Sequence, residues 1–290
     1  MDVVVPFRGA PAELDALRAS LARLRLGPSD SIVVVENTPG AAPPEGPIPV
    51  LVAGDTHTPG YARNRGAALG DADWLVFTDA DTVPAPDLLD RYFDPLPAER
   101  TALLAGGVVD EPVPPRGPPV ARYAHIRGLM GQENTFRFGE WSFPQTANAA
   151  CRRAAFDEVG GFREDIRAAE DADLTFRLKA AGWGVERREA ASVVHRSRQT
   201  VRGLIAQNLC HGAGGAWLNR QYPGSLPPRR RAGLLWWAVR SASAGLVSAA
   251  VSRDRDRALR ALFDPLDEVA YEFGRSLSNE VGATTPSAER

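Results

Sequence analysis

Up to about Asp81 the chain alternates short, wholly apolar runs with segments whose apolar positions recur every three or four residues. A run apolar at every position suits a strand buried on both faces. Alternation with helices predicts βαβ units and a parallel sheet. Val3-Val4-Val5 is the first expected strand, Leu14, Leu17, Leu21 and Leu24 fall on one helical stripe, and Ile32-Val33-Val34-Val35 is the second strand. The proline-rich stretch from Pro39 to Pro49 is a loop. Val50-Leu51-Val52 is a third strand, a helix begins near Pro59, and Trp74-Leu75-Val76-Phe77-Thr78 is a fourth strand that ends at Asp79.

Beyond Asp81 the pattern loosens, and mixed strand directions are expected. A helix lies near Leu88 to Tyr92, a strand near Leu103 to Val109, and a proline-rich link runs from Pro112 to Pro119. From about Glu170 to Ala181, Leu174 and Leu178 share one helical face, and Gly182 suits the residue that caps such a helix. Short strands around Val185 and Val193 follow, then a long helix through Leu204 and Leu209. From Pro223 onward arginine clusters and apolar helices take over, and the last ten residues, 281–290, read as a disordered tail.

With 290 residues, 44% hydrophobic and 24% charged, the chain can bury one large domain, or one with an appendage. Lys+Arg at 34 against Asp+Glu at 36 leaves a formal charge of −2, so no global basic field recruits nucleic acid. Any anion site is local. Lys179 is the only lysine, and the glycine-rich turn of a phosphate-gripping P-loop is missing. Cys151 and Cys210 stand far apart without paired spacing, which indicates neither a zinc site nor a disulfide framework and fits a reduced cytoplasm. The start, Met1-Asp2-Val3, enters a strand directly, without the basic segment and long apolar stretch of a signal peptide, so a cytoplasmic location is expected.

Asp79-Ala80-Asp81 closes the fourth strand. If the strand direction persists, both carboxylates point to one side at its carboxyl end, where open α/β sheets bind ligands. They would repel each other unless a cation sat between them, and hard oxygen ligands suit Mg2+ or Mn2+. A solvated turn explains the same residues, since Asp is common at strand ends. Glu170-Asp171 opens a helix, where the dipole favours an ionised carboxylate by roughly 0.3–1 kcal/mol. Asp171 could therefore stay a base at neutral pH, although capping by Glu170, Asp171 or Asp173 is the plainer explanation. His195 follows Val193-Val194 at a strand end, and its neutral imidazole could complete the coordination of a metal held by Asp81. His57, His125 and His211 have no such context.

The order and spacing of these parts resemble the family-2 glycosyltransferases over roughly Val3 to Gly212. The likeness rests on Val3-Val4-Val5-Pro6, Glu36-Asn37, Ala62-Arg63-Asn64-Arg65-Gly66, the acidic triplet, Asn148-Ala149-Ala150, Phe156 to Phe162, Glu170-Asp171 and His195. The resemblance implies an α/β GT-A fold, a Rossmann-like mixed sheet flanked by helices, here with a C-terminal helical appendage. It divides the chain into a catalytic domain over 1–222, with a nucleotide-sugar half to about 110 and an acceptor half over 111–222, and a helical appendage over 223–280. It implies metal-dependent transfer of a sugar, with inversion, from a nucleotide diphosphate donor to an acceptor hydroxyl.

In that family the aspartate of the Glu170-Asp171 pair is the base, and Mn2+ or Mg2+ is the cofactor. Asp79, Asp81 and His195 are then the metal-binding residues, and Pro6, Arg8, Glu36, Asn37, Arg63, Asn64 and Asp79 lie on the donor side. Glu36 and Asn37 could hydrogen-bond a base or ribose, and Arg63 could meet a phosphate with its planar fork. A salt bridge is the competing role for Arg63, and loop stabilisation that for Asn64. Trp141, Asn148 and Glu170 fall on the acceptor side, a buried domain-edge tryptophan being the other reading of Trp141.

Ala232 to Val251 is largely apolar and holds Trp236-Trp237, but Arg240 and several serines interrupt it. A spanning helix needs about 20 predominantly apolar residues, and a central arginine costs at least about 2.5–3.5 kcal/mol, so no span is expected. With Arg229-Arg230-Arg231 before it and Arg253, Arg255 and Arg257 after it, the segment suits a helix lying on an anionic membrane, peripheral on its inner face. Packing on the catalytic domain or in a homodimer would use the same face, so the acceptor is lipid-linked or soluble.

Two rival functions remain. Asp79-Ala80-Asp81-Thr82-Val83 also resembles the nucleophile motif of haloacid-dehalogenase-type phosphotransferases, but that chemistry needs a lysine before its later acidic site, and Glu170-Asp171 precedes Lys179. The other rival is a non-catalytic scaffold protein on a GT-A-like fold.

Overall fold

The computed structural model describes residues 1–42, 45–227 and 233–281. Arg229-Arg230-Arg231 and, but for residue 281, the expected disordered tail lie outside the described residues. The first elements are β1 (Asp2–Phe7), α1 (Pro11–Leu21), β2 (Ser31–Glu36), β3 (Val50–Val52), α2 (Pro59–Ala67) and β4 (Trp74–Thr78), in the expected series. After the acidic triplet come β5 (Thr82–Pro84), α3 (Leu88–Tyr92), β6 (Thr101–Asp110), α4 (Pro119–Arg127), α5 (Glu133–Phe136), β7 (Asn148–Arg152) and α6 (Arg153–Glu158). Then follow α7 (Glu170–Ala180), β8 (Gly184–His195), α8 (Val201–Gln221), α9 (Leu234–Ser252) and α10 (Arg255–Gly274).

One eight-stranded sheet runs in the order β3-β2-β1-β4-β7-β6-β8-β5. β3, β2, β1 and β4 are parallel, while β7 lies antiparallel between β4 and β6. It is therefore the mixed sheet that the loosened pattern after Asp81 predicts. Strand order reverses beside β1, with β2 on one side and β4 on the other, so a crevice opens at the carboxyl ends of β1 and β4.

Alternation along the buried strands decides which helices share a layer. Val3, Val5 and Val76 pack with Leu14, Leu17 and Leu21 of α1. Val4, Leu75 and Phe77 face the other way, onto Tyr61 and Ala62 of α2 and Leu174 and Leu178 of α7. Burying each such large side chain contributes about 1.5–3 kcal/mol. The same apolar layer thus places α2, which carries Arg63, and α7, which carries Glu170 and Asp171, on one face of the sheet. Helix α7 stops where expected: Gly182 adopts φ +83°, and Trp183 N donates to Leu178 O at 3.0 Å.

One expectation changes. The short strands around Val185 and Val193 are one strand, β8, which pairs in parallel with β6 from Leu103↔Val185 to Asp110↔His195. An irregularity between Arg188 and Ser192 interrupts the apolar pattern without ending the backbone pairing. The C-terminal helices expected after 222 are present as α9 and α10. Leu259 and Phe263 of α10 pack with Val120 and Tyr123 of α4 and Leu204 of α8. Gly212 of α8 and Gly274 of α10 let the two backbones meet, since a Cβ on Gly212 would run into Tyr271 O and one on Gly274 into Leu209 O.

Candidate active site

A cleft of about 1730 Å³ opens above the carboxyl ends of β1 and β4 and extends to α8 and α10. Sites for one small ligand occupy about 300–1,000 Å³, so there is room here for two substrates. Pro6, Arg8, Asn37, Arg63, Asp79, Asp81, Trp141, Glu170, Asp171 and His195 all line it.

Arg63 joins the two acidic motifs. Its Nη2 donates to Asp79 Oδ1 at 2.7 Å and its Nη1 to Glu170 Oε1 at 2.6 Å, with the guanidinium almost wholly buried. The planar fork makes one charge serve two carboxylates from distant parts of the chain. Arg63 therefore takes the ion-pair role, and its two terminal nitrogens are already engaged.

Asp81 has different partners. His195 Nε2 lies 3.5 Å from Asp81 Oδ2, and Arg198 Nη2 lies 3.6 Å from the same oxygen. Burial alone would raise the Asp81 pKa, but His195 and Arg198 outweigh it and hold the carboxyl below its ordinary range. His195 Nδ1 lies 3.1 Å from Asp110 Oδ1, which also accepts from Ser197 Oγ at 3.0 Å, while Met130 N donates to Oδ2 at 3.2 Å. With Nδ1 turned to Asp110, the ring is held with Nε2 toward Asp81. Burial pulls the imidazole pKa down, yet Asp110 and Asp81 overcome this and raise it to about 9.

Asp171 is half-buried and accepts from Ala172 N at 2.8 Å. Burial first, then the Glu170 carboxylate beside it, push its pKa up to about 7. This corrects the expectation that the helix start holds it ionised, because desolvation and a like charge exceed a dipole effect of roughly 0.3–1 kcal/mol. Glu170 and Asp173 do not cap α7, whereas Asp171 does accept from a first-turn amide, Ala172 N. The capping residue is Ala169, at φ 71°; Glu170 is occupied by Arg63, and Asp173 accepts from Arg177 and Tyr222.

Among the described residues no three His, Cys, Asp or Glu side chains group around one point as metal ligands. Asp81 Oδ1 is nevertheless buried without a hydrogen-bond partner. A bare carboxylate oxygen beside an oriented imidazole is a donor set that would suit a divalent cation.

The model of glycosyl transferase family group 2 matches residues 74–258. The chain belongs to this glycosyltransferase family. The pre-mycofactocin glycosyltransferases of two Mycobacterium tuberculosis strains, H37Rv and CDC 1551, are each 30% identical to it over 262 residues, covering 84% of this chain and 53% of theirs. The chain thus spans about half the length of the curated relatives it matches. A mannosyltransferase from Pyrobaculum calidifontis, solved with GDP-Man and Mn2+, shares the GT-A fold with a TM-score of 0.60 at 16% identity, over 95% of this chain and 85% of that one.

Family membership leaves the phosphotransferase reading of Asp79 without support. Lys179, the lysine which that chemistry would need, donates instead to Glu140 O at 2.9 Å and Ser142 O at 2.6 Å and does not line the cleft. Three of the expected site residues of this glycosyltransferase-family chain also do not line it. Glu36 Oε1 accepts from Thr38 N at 2.8 Å and is buried at the end of β2. Asn64 donates to Phe162 O and Glu164 Oε1 and accepts from Phe162 N, so it clamps α2 to the loop before α7. Asn148 is wholly buried, accepts from Tyr92 Oη at 2.6 Å and donates to Gly107 O and Ala191 O. Each spends its polar atoms on neighbouring backbone or core groups.

Asn37 lines the cleft, but its amide donates to Ala53 O and Thr56 O, which shapes the loop that leads to His57. Trp141 combines its two readings, lining the cleft while packing edge-on against Phe176 at 5.1 Å. His57 and His211, left without a role by the sequence, line the cleft, and His125 does not.

Sequence reasoning missed Asp110, Arg198 and the far wall. Asp110 carried one available signal, since it ends an apolar strand just as β4 runs into Asp79. On the far wall Tyr123 Oη lies 2.9 Å from Asp264 and 2.6 Å from Asp267, and Asn208 donates to Asp267 at 2.9 Å. Burial is the first cause of an Asp267 pKa raised to about 6.

Proposed function

We propose that this protein transfers a sugar, with inversion, from a nucleoside diphosphate donor to an acceptor hydroxyl, with Asp171 as the base. The observation that carries this reading is the meeting of two acidic centres in one cleft: Asp81 beside His195, and Asp171 beside the Glu170–Arg63–Asp79 bridge. Asp171 takes the acceptor proton as the acceptor oxygen bonds to the anomeric carbon and the bond to the diphosphate oxygen breaks. One such displacement inverts the carbon.

Asp81 and His195 would hold Mn2+ or Mg2+, which when bound supplies positive charge to the leaving diphosphate. The GDP-Man and Mn2+ held by the mannosyltransferase of similar fold support this donor and cofactor class. Intact carboxylates and His195 in the cleft favour an enzyme over a scaffold. A panel of GDP-mannose, UDP-glucose and UDP-N-acetylglucosamine with Mn2+ tests the reading through nucleoside diphosphate release and thermal stabilisation. A donor at 100 times its Kd adds about 2.7 kcal/mol. Neither release nor stabilisation with any donor in such a panel would count against a sugar-nucleotide enzyme.

We also infer a cytoplasmic protein that rests peripherally on the anionic inner face of a membrane through α9. Among the described residues α9 is the one helix long and apolar enough to cross a bilayer, and it is hardly buried. Leu235, Trp236, Val239, Val247 and Val251 are exposed on it, while Ala238 and Ala249 are covered. Its packing along α10, with Gly245 making room for Ala261, favours lying on the surface over crossing it. Exposed Arg253, Arg255 and Arg257 follow. A second copy of the chain is the competing occupant.

A further inference from the structure

The loop before Asp171 is held from outside its own segment. Helix α7 starts from Ala169, a non-glycine residue at φ 71°, so the backbone entering the helix is in a conformation that L side chains rarely adopt. Such a residue persists where its neighbours over-determine it. The stretch after α10 returns to this loop. Arg167 N donates to Asn279 O at 2.9 Å, Val281 N donates to Asp165 O at 2.8 Å, and Ile166 and Glu280 form an antiparallel bridge.

Asn279 grips the loop twice more. Its Nδ2 donates to Ala168 O at 2.9 Å and its Oδ1 accepts from Ala168 N at 3.2 Å, with the side chain wholly buried. A carboxamide carries its donor and its acceptor on separate atoms, so it can pair with one residue's N–H and C=O as a neighbouring strand would. Across the loop, Gly214 of α8 admits the backbone: a Cβ there would lie 3.0 Å from Ala168 Cβ and 3.1 Å from Ala169 Cβ. Ala168 and Ala169 are thus held between Asn279 and α8, directly before Glu170 and Asp171.

We propose that Asn279 is a positioning residue for Asp171, which makes the C-terminal segment a working part of the active site. The proposal rests on the reading of Asp171 as base. Asn279 touches no reacting atom and acts through the backbone of residues 168–170.

The test compares wild type, Asn279→Ala, Asn279→Asp and Gly214→Ala in the full chain. Three quantities are read: Mn2+-dependent nucleoside diphosphate release from the donor that the nucleotide-sugar panel selects, calorimetric affinity for the matching nucleoside diphosphate with Mn2+, and the thermal midpoint. At a temperature where every variant is folded, turnover is expected to fall at least tenfold in both Asn279 variants, with affinity within about twofold of wild type. Gly214→Ala, which presses on the loop from the other side, is expected to lose turnover in the same selective way and keeps the test open should the Asn279 variants fail to fold. A lowered midpoint with turnover within twofold of wild type would overturn the proposal and leave Asn279 a stabilising residue. Asp171→Asn, run alongside, separates the two claims: if it keeps full turnover the base assignment fails, and if it alone loses turnover only the positioning role fails.

Discussion

His195 Nδ1 and Asp110 Oδ1 lie 3.1 Å apart, from strand ends that face each other in the register of β6 and β8. That contact aims Nε2 at Asp81 and explains why a buried aspartate outside the acidic triplet belongs to the site. Asp110→Asn keeps the size but replaces one carboxyl oxygen with an amide nitrogen. Its affinity for a nucleoside diphosphate in the presence of Mn2+ is expected to fall about 10–100-fold by calorimetry. An unchanged affinity would remove Asp110 from the account of metal binding.

Asp81→Ala is expected to abolish Mn2+-dependent nucleoside diphosphate binding while the circular dichroism spectrum stays that of the wild type. The motivation is the unpaired Asp81 Oδ1 beside His195. Wild-type affinity in the variant would sink the metal assignment.

Asp171→Asn should retain donor affinity and lose about 10²–10⁴-fold in turnover. In the wild type, the pKa of about 7 sets the sign of the pH dependence. The base works ionised, so the logarithm of the rate should rise with a slope of one below pH 7 and level off above it. A rate already flat from pH 5 to 7 would contradict a base raised to that value.

Removing Arg63 leaves Asp79 and buried Glu170 without their shared cation. Arg63→Met is expected to cost about 3–5 kcal/mol in urea unfolding, the range for breaking a buried ion pair from one side. Arg63→Lys should recover only part of this, because an ammonium cannot reproduce the fork. A loss below about 1 kcal/mol would mean that the bridge is marginal to stability.

For α9, the full chain is expected to sediment with anionic liposomes at low ionic strength and to be released by salt. Each basic residue near such a surface is worth about 1 kcal/mol. Trp236→Ser with Val247→Ser should weaken that binding and leave diphosphate release unchanged. Failure to bind at low salt, together with a dimer by ultracentrifugation that the double substitution dissociates, would assign the face to a second copy.

Much of the sheet and several residues that line the cleft were legible along the chain. Val3 to Val5, Ile32 to Val35 and Trp74 to Thr78 read as buried strands because burial on both faces demands apolar residues at every position. Once those strands are placed, Asp79, Asp81 and His195 fall at strand ends and Asp171 at a helix start, positions that local pattern marks but that only the family resemblance makes site candidates. Tertiary structure decided which polar groups meet. Arg63 finds Glu170 across 107 residues, His195 finds Asp110 across 85, and Asn279 finds Ala168 across 111. It also turned Glu36, Asn64 and Asn148 inward and set α10 along the cleft. Apolar burial leaves a periodic trace in sequence because it depends on which face a residue occupies. A hydrogen bond depends on placing two particular atoms within about 3 Å of each other, and only the assembled layers determine that.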